Sequence, residues 1–520
     1  SSSPTPPVLA VGAVLHGFKL VRKEYIAEMD ADALFFMHER TGAELLSIAI
    51  ADENKTFGVT FRTPPEDSAG LPHVLEHSVL CGSRKYPVKE PFVELLKGSL
   101  QTFLNAFTYP DRTCYPVASC NLQDFYNLVD VYLDAVFHPV AVHDPKVLAQ
   151  EGWHYEIEDP QQPLVYKGVV FNEMKGVYSD PDAVHHRDMQ QALFPGTHYG
   201  VDSGGDPRAI PDLTFDRFRA FHGRFYHPSN ARFWFYGDDP LPERLALVNQ
   251  YLRDFTRADP ASQVSTVTPF AAPRHVTSRY AADPGEDLSS KALVSVGWVL
   301  THARPTPELN FSLSFLNHLL LGTSASPLYK ALVDSGYGST VLGGGVEDHL
   351  QQWSFSVGLK DCRPADRDTI VDVITGVLAH HAAHGFEQGA VEATVNTIEF
   401  ALREKNKGSF PRGLSYMLSA LSEWIYDGDP FQGLRYAESL QHVKNCLARQ
   451  EPLFQDAIRR YLLENPHRVV VVTEPDATLG PETERAEQDR LGQVKASLSA
   501  AEVQGLIDQT KALKAHQETP

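Results

Sequence analysis

Apolar and polar residues alternate between Gly17 and Thr63, in Phe18-Leu20-Val21, in residues 32–38 and in residues 45–50, which predicts strands with one buried face. The period then lengthens, and helical patterns are expected at residues 71–80, 91–97, 122–137, 166–178 and 215–225. A further strand, Ala231-Arg232-Phe233-Trp234-Phe235-Tyr236, runs into the turn cluster Gly237-Asp238-Asp239-Pro240. Residues 255–285 are rich in Ala, Pro, Asp and Thr and read as a linker. A second mixed set begins at Ala292-Leu293-Val294-Ser295-Val296-Gly297-Trp298 and ends at Arg468-Val469-Val470-Val471-Val472-Thr473. Beyond Pro481 the chain turns to Glu, Gln, Lys, Ala and Leu, helix-forming material with little for a core. The expected fold class is therefore α+β, with domains at 1–254 and 286–478, the linker at 255–285 and a helical segment at 479–520. An internal repeat supports the division: laying Gly82 over Gly322 also sets Leu80 over Leu320 and Pro87 over Pro327. In that register His73, Glu76 and His77 fall on Leu313, Leu316 and Asn317, so the second copy lacks the polar motif of the first.

That motif is His73-Val74-Leu75-Glu76-His77, one residue after Pro72, and proline suits the first turn of a helix. On a helix His73 and His77 are an i, i+4 pair, with both imidazoles within reach of one metal ion. Glu76 sits at the edge of the same face, placed to hydrogen-bond a water without being a ligand. The order His-x-x-Glu-His is a zinc peptidase signature. Alone, the pentapeptide leaves ordinary helix histidines open as a reading, because a zinc site needs a third protein ligand. Glu173, in Lys167-Gly168-Val169-Val170-Phe171-Asn172-Glu173-Met174-Lys175-Gly176, is the candidate. Its apolar neighbours suggest a packed helix, where a carboxylate is costly unless paired or metal-bound. An exposed glutamate beside Lys175 is the alternative. With two histidines and one glutamate as ligands, Glu76 would act as general base in peptide bond hydrolysis without a covalent intermediate.

Phe103-Leu104-Asn105-Ala106-Phe107-Thr108 is a candidate substrate edge. A peptidase of broad specificity holds its substrate as an added strand, since main-chain hydrogen bonds are sequence-independent. Ala106 allows close approach, Asn105 offers a polar clamp, and Phe103 and Phe107 share a face at period two and could line a pocket. An ordinary interior strand remains the alternative on these residues alone.

The run from His73 through Ser78-Val79-Leu80-Cys81-Gly82-Ser83-Arg84-Lys85-Tyr86-Pro87-Val88-Lys89-Glu90-Pro91-Phe92 resembles the presequence protease branch of the pitrilysin-type metallopeptidases. So do Asn105-Ala106-Phe107-Thr108-Tyr109-Pro110, Gln150-Glu151-Gly152-Trp153-His154-Tyr155-Glu156 and Phe171-Asn172-Glu173-Met174-Lys175-Gly176. The resemblance implies two homologous domains, each a mainly antiparallel sheet packed with helices, followed by the start of a helical linker hairpin. It implies one zinc ion (Zn2+) held by His73, His77 and Glu173, Glu76 as general base, and Asn105 to Thr108 beside the scissile bond. It further implies a zinc endopeptidase that degrades cleaved targeting peptides and other short unstructured, often basic peptides, in the mitochondrial matrix or chloroplast stroma. The match covers only an N-terminal half. The family's second half closes the chamber and supplies an arginine and a tyrosine that have no counterpart in this chain. A complementary C-terminal half is thus an expected partner, and a zinc-bearing, peptide-binding module inactive without it is the alternative function.

Composition changes this picture little. A net charge of -20 argues against nucleic acid as a partner and suits cationic peptides. No apolar run is long enough to span a bilayer, so no membrane is expected. The five cysteines form no C-x-x-C pair and are expected as free thiols. Ser1-Ser2-Ser3-Pro4-Thr5-Pro6-Pro7 reads as a loose leader. His380, His381 and His384 precede Gly385 and read as helix-terminal residues, Gly343-Gly344-Gly345 as the end or bend of a strand, and His154 as a packed histidine.

Overall fold

The computed structural model describes residues 9–89, 91–404 and 410–518. The leader expected at 1–7 lies outside them.

The first half of the chain supplies β1 (Val14–Leu15), β2 (Phe18–Ile26), β3 (Ala31–His38), β4 (Glu44–Ala49), β5 (Lys55–Arg62), β6 (Gln101–Leu104), β7 (Phe107–Thr108) and β8 (Arg112–Ser119). A short antiparallel pair, β9 (His154–Glu156) and β10 (Val165–Lys167), stands apart, and β11 (Ala231–Gly237) returns to the centre. The sheet runs β1-β2-β3-β4-β11-β5-β8-β6, with β7 also on β8. All its pairings are antiparallel except β4 with β11. Its helices are α1 (Leu71–Val79), α2 (Pro91–Gly98), α3 (Leu122–Phe137), α4 (Pro145–Glu151), α5 (Val169–Val177), α6 (Pro181–Leu193), α7 (Phe215–Phe225) and α8 (Leu241–Leu252).

The second sheet is β12-β16-β13-β15-β14, from β12 (Arg274–Ala281), β13 (Ala292–Val299), β14 (Thr340–Glu347), β15 (Ser354–Cys362) and β16 (Arg468–Asp476). Here too one parallel pair, β12 with β16, is followed by antiparallel neighbours. The series β4-β11-β5-β8-β6 in the first sheet thus has the same pattern of directions as the whole second sheet. Its helices are α9 (Pro307–Leu321), α10 (Pro327–Ser335), α11 (Arg367–His384), α12 (Gln388–Glu404), α13 (Arg412–Trp424), α14 (Ala437–Ala448) and α15 (Leu453–Ile458). Two long helices, α16 (Leu479–Ser497) and α17 (Ala500–Glu518), end the chain.

Each sheet buries one face under its own helices and the other under a helix from the opposite half. The inner face of the first sheet joins α1, α3, α7 and α8 in one apolar core around Phe57, Val74, Tyr132 and Phe218. Its outer face carries Phe35, Ile48 and Trp234, covered by Leu414, Met417, Leu421 and Trp424 of α13. Conversely Met189 and Leu193 of α6 lie on Val469 and Val471 of β16. Burial of large apolar side chains at about 1.5–3 kcal/mol each makes both contacts substantial.

Three expectations need correction. The segment 255–285 is not linker throughout, because β12 lies within it and pairs along its whole length with β16. Its strand signal is masked by composition: only Tyr280 of its eight residues is buried. The helix expected at 166–178 begins at Val169, since Tyr166 and Lys167 belong to β10. Gly168 makes the break, with φ 151° and a backbone so close to Gly152 that a Cβ would stand 2.1 Å from its carbonyl oxygen. Finally, α5 buries Val170, Phe171 and Met174 but leaves Glu173 exposed, so its carboxylate is not enclosed by the apolar neighbours in its own helix.

Among the described residues no helix is long and apolar enough to cross a membrane. Among the described residues none of the five cysteines is in a disulfide.

Candidate active site

Two short helices and the turn after α6 assemble the site. The start of α1 is set by Gly70, at φ 73°, where a Cβ would lie 2.8 Å from the Cα of Gly205. This close approach brings the carbonyl of Gly204 to 2.9 Å from His73 Nδ1. A carbonyl only accepts, so Nδ1 carries a proton, and in the neutral imidazole the lone pair is then on Nε2. One turn later His77 lies with its ring 4.9 Å from that of His73. From α5, Glu173 extends its two oxygens to 3.6 Å from His73 Nε2 and 3.6 Å from His77 Nε2. The ligand atoms of His73, His77 and Glu173 all lie within 4.8 Å of one another.

The environment is rich in negative charge. His77 Nδ1 faces Glu151 Oε2 at 3.4 Å, and Glu151 is buried at the end of α4. Burial works against a charged His77, but the bond to Glu151 and the charges of Glu76, Glu151 and Glu173 outweigh it and raise its pKa. Burial likewise works to raise the pKa of Glu151, and its bonds to His77 and Gln150 overcome this and lower it. Two imidazole nitrogens and the Glu173 carboxylate converge, and Glu76 and Glu151 bring two further carboxylates around His77. That donor set fits a divalent cation of the zinc type, with the remaining ring nitrogens fixed by Gly204 and Glu151.

Glu76 projects from the same helix into an adjoining cleft of about 330 Å³, lined by Glu76, His77, Leu80, Phe92, Asn105 and Glu151 among others. The Thr108 hydroxyl on β7 donates to Glu76 Oε2 at 2.5 Å. Leu80, Phe92 and Val93 give the cleft an apolar wall. The signal for that wall was the short apolar helix α2, of which only Pro91 is buried.

The expected substrate edge divides. Asn105 and Ala106 line the cleft and interrupt the strand between β6 and β7. Ala106 N–H is taken by the Asn105 side chain at 2.9 Å, and Tyr132 OH donates to the Asn105 carbonyl at 3.0 Å. Phe103 and Phe107 keep together, with ring centroids 6.1 Å apart, but are not among the residues lining the cleft. They pack with Phe410 and Tyr109 against the cluster under α13, because the break at Asn105-Ala106 turns the chain between them.

The other histidines stand elsewhere. His154 Nδ1 lies 2.5 Å from the Ala149 carbonyl. His381 stacks on Phe386 at 4.4 Å, and Gly385 ends α11 at φ 75°. Gly343, Gly344 and Gly345 lie in β14, where its register against β15 shifts between Leu342 and Gly345. Glu151 and Thr108 lie within the family-like runs, but nothing in the sequence alone gives either an individual role.

A duplicated sheet-and-helix plan with a His-x-x-Glu-His helix facing a glutamate from a second helix defines the pitrilysin-type peptidase class. The model for "Insulinase (Peptidase family M16)" matches residues 61–172, and that for "Peptidase M16 inactive domain" matches residues 212–398. The chain belongs to peptidase family M16. The first match holds His73, Glu76 and His77 and stops one residue before Glu173. Among relatives, presequence protease 1, chloroplastic/mitochondrial, of Arabidopsis thaliana is 51% identical over 97% of this chain and 47% of its own length. Protein HypA of Clostridium perfringens is 41% identical over 98% of this chain and 52% of its own. The mitochondrial presequence protease of Mus musculus is 37% identical over 95% and 48%. The chain spans about half the length of these relatives. Among solved structures, pitrilysin superposes with a TM-score of 0.58 at 18% identity, covering 89% of this chain and 46% of that one. A peptidase M16 inactive domain from Pseudomonas fluorescens gives 0.62 at 14% identity, covering 88% and 98%. These two likenesses concern the fold.

Proposed function

We propose that this chain is the metal-bearing half of a zinc-dependent endopeptidase that degrades cleaved targeting peptides and other short unstructured, often basic peptides. The observation that carries the reading is the convergence of His73 Nε2 and His77 Nε2 on the two oxygens of Glu173, with Glu76 beside them at the mouth of a cleft. His73, His77 and Glu173 would hold one zinc ion. When bound, the ion supplies Lewis acidity to a water molecule and to the scissile carbonyl. Glu76 takes the proton of the attacking water and returns it to the leaving amine. The substrate would lie as an added strand along the open β6–β7 edge, beside Asn105 and Ala106, with a side chain against Leu80, Phe92 and Val93.

The substrate class rests on the names of the relatives and on the net charge of -20, which favours basic peptides. The same names support the mitochondrial matrix or chloroplast stroma as its compartment, tested by organelle import of the tagged full-length protein. A complementary C-terminal half is the expected partner, because the relatives are about twice as long. That length also favours a second reading, a zinc-bearing peptide-binding module inactive until the other half closes on it.

The test is cleavage of a fluorogenic basic peptide by this chain with and without chelator, beside Glu76→Gln. Chelator-sensitive cleavage lost in Glu76→Gln is expected. Equal inertness of both with zinc bound selects the module. A zinc content near zero at neutral pH overturns the ligand assignment.

A further inference from the structure

We propose that Thr108 is a positioning residue for Glu76, holding its carboxylate in the orientation from which it accepts the proton of the attacking water. This rests on the reading of Glu76 as general base and adds to it a residue that decides how well the base is aimed.

Glu76 stands on the cleft side of α1 and is only partly buried, so its long side chain gets little orientation from packing. The Thr108 hydroxyl supplies the missing constraint by donating to Oε2 at 2.5 Å, which leaves Oε1 for a proton. Threonine suits this task, since two heavy atoms on Cβ restrict its first torsion. The backbone beneath it is fixed as well. Thr108 pairs with Thr113 of β8, and the turn between them is closed by Tyr109 N–H to the Arg112 carbonyl at 2.8 Å.

That turn is anchored from outside its own sheet. Asp111 is fully buried and accepts from Tyr199 OH at 2.5 Å and from Tyr426 OH at 2.5 Å. Arg112 donates to Asp111 at 2.9 Å and to the carbonyl of His349, just beyond β14, at 2.9 Å. A hydrogen bond from a mobile hydroxyl would orient little. One from a β-branched residue on an edge strand, pinned by a buried carboxylate and two tyrosines, orients a great deal.

The test compares Thr108→Val, which keeps the branched shape and removes the donor, with Thr108→Ser, which keeps the donor and removes the methyl. In the zinc-loaded chain, Thr108→Val is expected to lower kcat for the fluorogenic basic peptide by about tenfold to a hundredfold, the usual loss for a misplaced catalytic group. KM and zinc content are expected to hold, and Thr108→Ser, which keeps the donor on a freer torsion, is expected to lose clearly less kcat than Thr108→Val. Crystal structures of both zinc-bound variants are expected to show Glu76 turned from its place in Thr108→Val only. Equal losses in the two variants, or Glu76 unmoved in Thr108→Val, overturn the proposal. Where the chain alone does not turn over, the position of Glu76 decides. Glu76→Gln run in parallel separates the failures: full activity there removes the general-base reading, whereas the Thr108 contact is judged by the structures.

Discussion

Replacing Glu151 by Gln isolates what the carboxylate behind His77 contributes to metal binding. The two side chains have nearly the same shape, and Glu151 is buried, so the change removes a charge and leaves the packing. Partners of metal-binding histidines are worth about 10–100-fold in metal affinity, or roughly 1.4–2.7 kcal/mol. Here the contact with His77 Nδ1 is long, at 3.4 Å, and the His77 side chain is 25% exposed, which places the expected loss near tenfold. pH gives a second, independent signature. A proton on His77 competes with the ion, and in the metal-free chain Glu151 helps to raise the His77 pKa above 6.5, against the opposing effect of burial. Wild-type affinity therefore falls as pH drops through that raised pKa, whereas in Glu151→Gln the competition begins at lower pH. The variant's deficit is thus largest above neutrality and narrows on acidification. Competition titration against a chromophoric zinc chelator at about pH 8 and about pH 6 measures both, with circular dichroism checking the fold. A loss under about twofold at the higher pH, or the same loss at both, refutes the argument that Glu151 acts through His77.

Other outcomes follow from buried polar groups and from the crossed helices. Arg244 and Asp239 are both fully buried and pair through two hydrogen bonds of 2.8 and 2.6 Å, with Arg244 also donating to Ser47 and to the carbonyls of Ile48 and Gly237. Arg244→Ala strands the carboxylate and is expected to cost about 3–5 kcal/mol in urea unfolding; a loss below about 1 kcal/mol contradicts this. His222 is buried, its pKa lowered to about 4 by desolvation against the opposing bond to the Val136 carbonyl. Because the unfolded imidazole protonates first, stability falls as pH drops from 6.5 to about 4 and levels off below, by roughly 3 kcal/mol for this group. His222→Gln is expected to flatten that part of the acid unfolding profile, and an unchanged slope counts against it. Trp424→Ala empties the seat of α13 on the first sheet, where the indole lies 6.1 Å from the Phe35 ring, and is expected to cost about 3–5 kcal/mol. If its unfolding midpoint in urea matches wild type, α13 does not stabilise that sheet.

What the sequence made legible is what is local. His73 and His77 are one helical turn apart, so their shared face needs only the period of the helix, and α1, α3, α7 and β11 lie close to where the apolar pattern puts them. Glu173 is legible because it sits in a recognisable run, but its exposure is not: apolar neighbours say that a helix packs, not which of its sides is covered. Glu151, Thr108 and Gly204 belong to the site only through contacts across distant parts of the chain, and no periodicity encodes those. The same limit hid β12, whose partner β16 is formed by the far end of the second half and whose polar face resembles linker. It also hid the exchange of covering helices. The amphipathic pattern of α13 shows that one face must be buried, but that face seeks a hydrophobic surface of suitable shape, and the outer side of the first sheet provides one as well as any nearer in sequence. With Tyr426, a few residues past that helix, bonded to Asp111 beside the Thr108 turn, the boundary between the two sheet-and-helix halves is drawn by tertiary contacts and crosses the order of the chain.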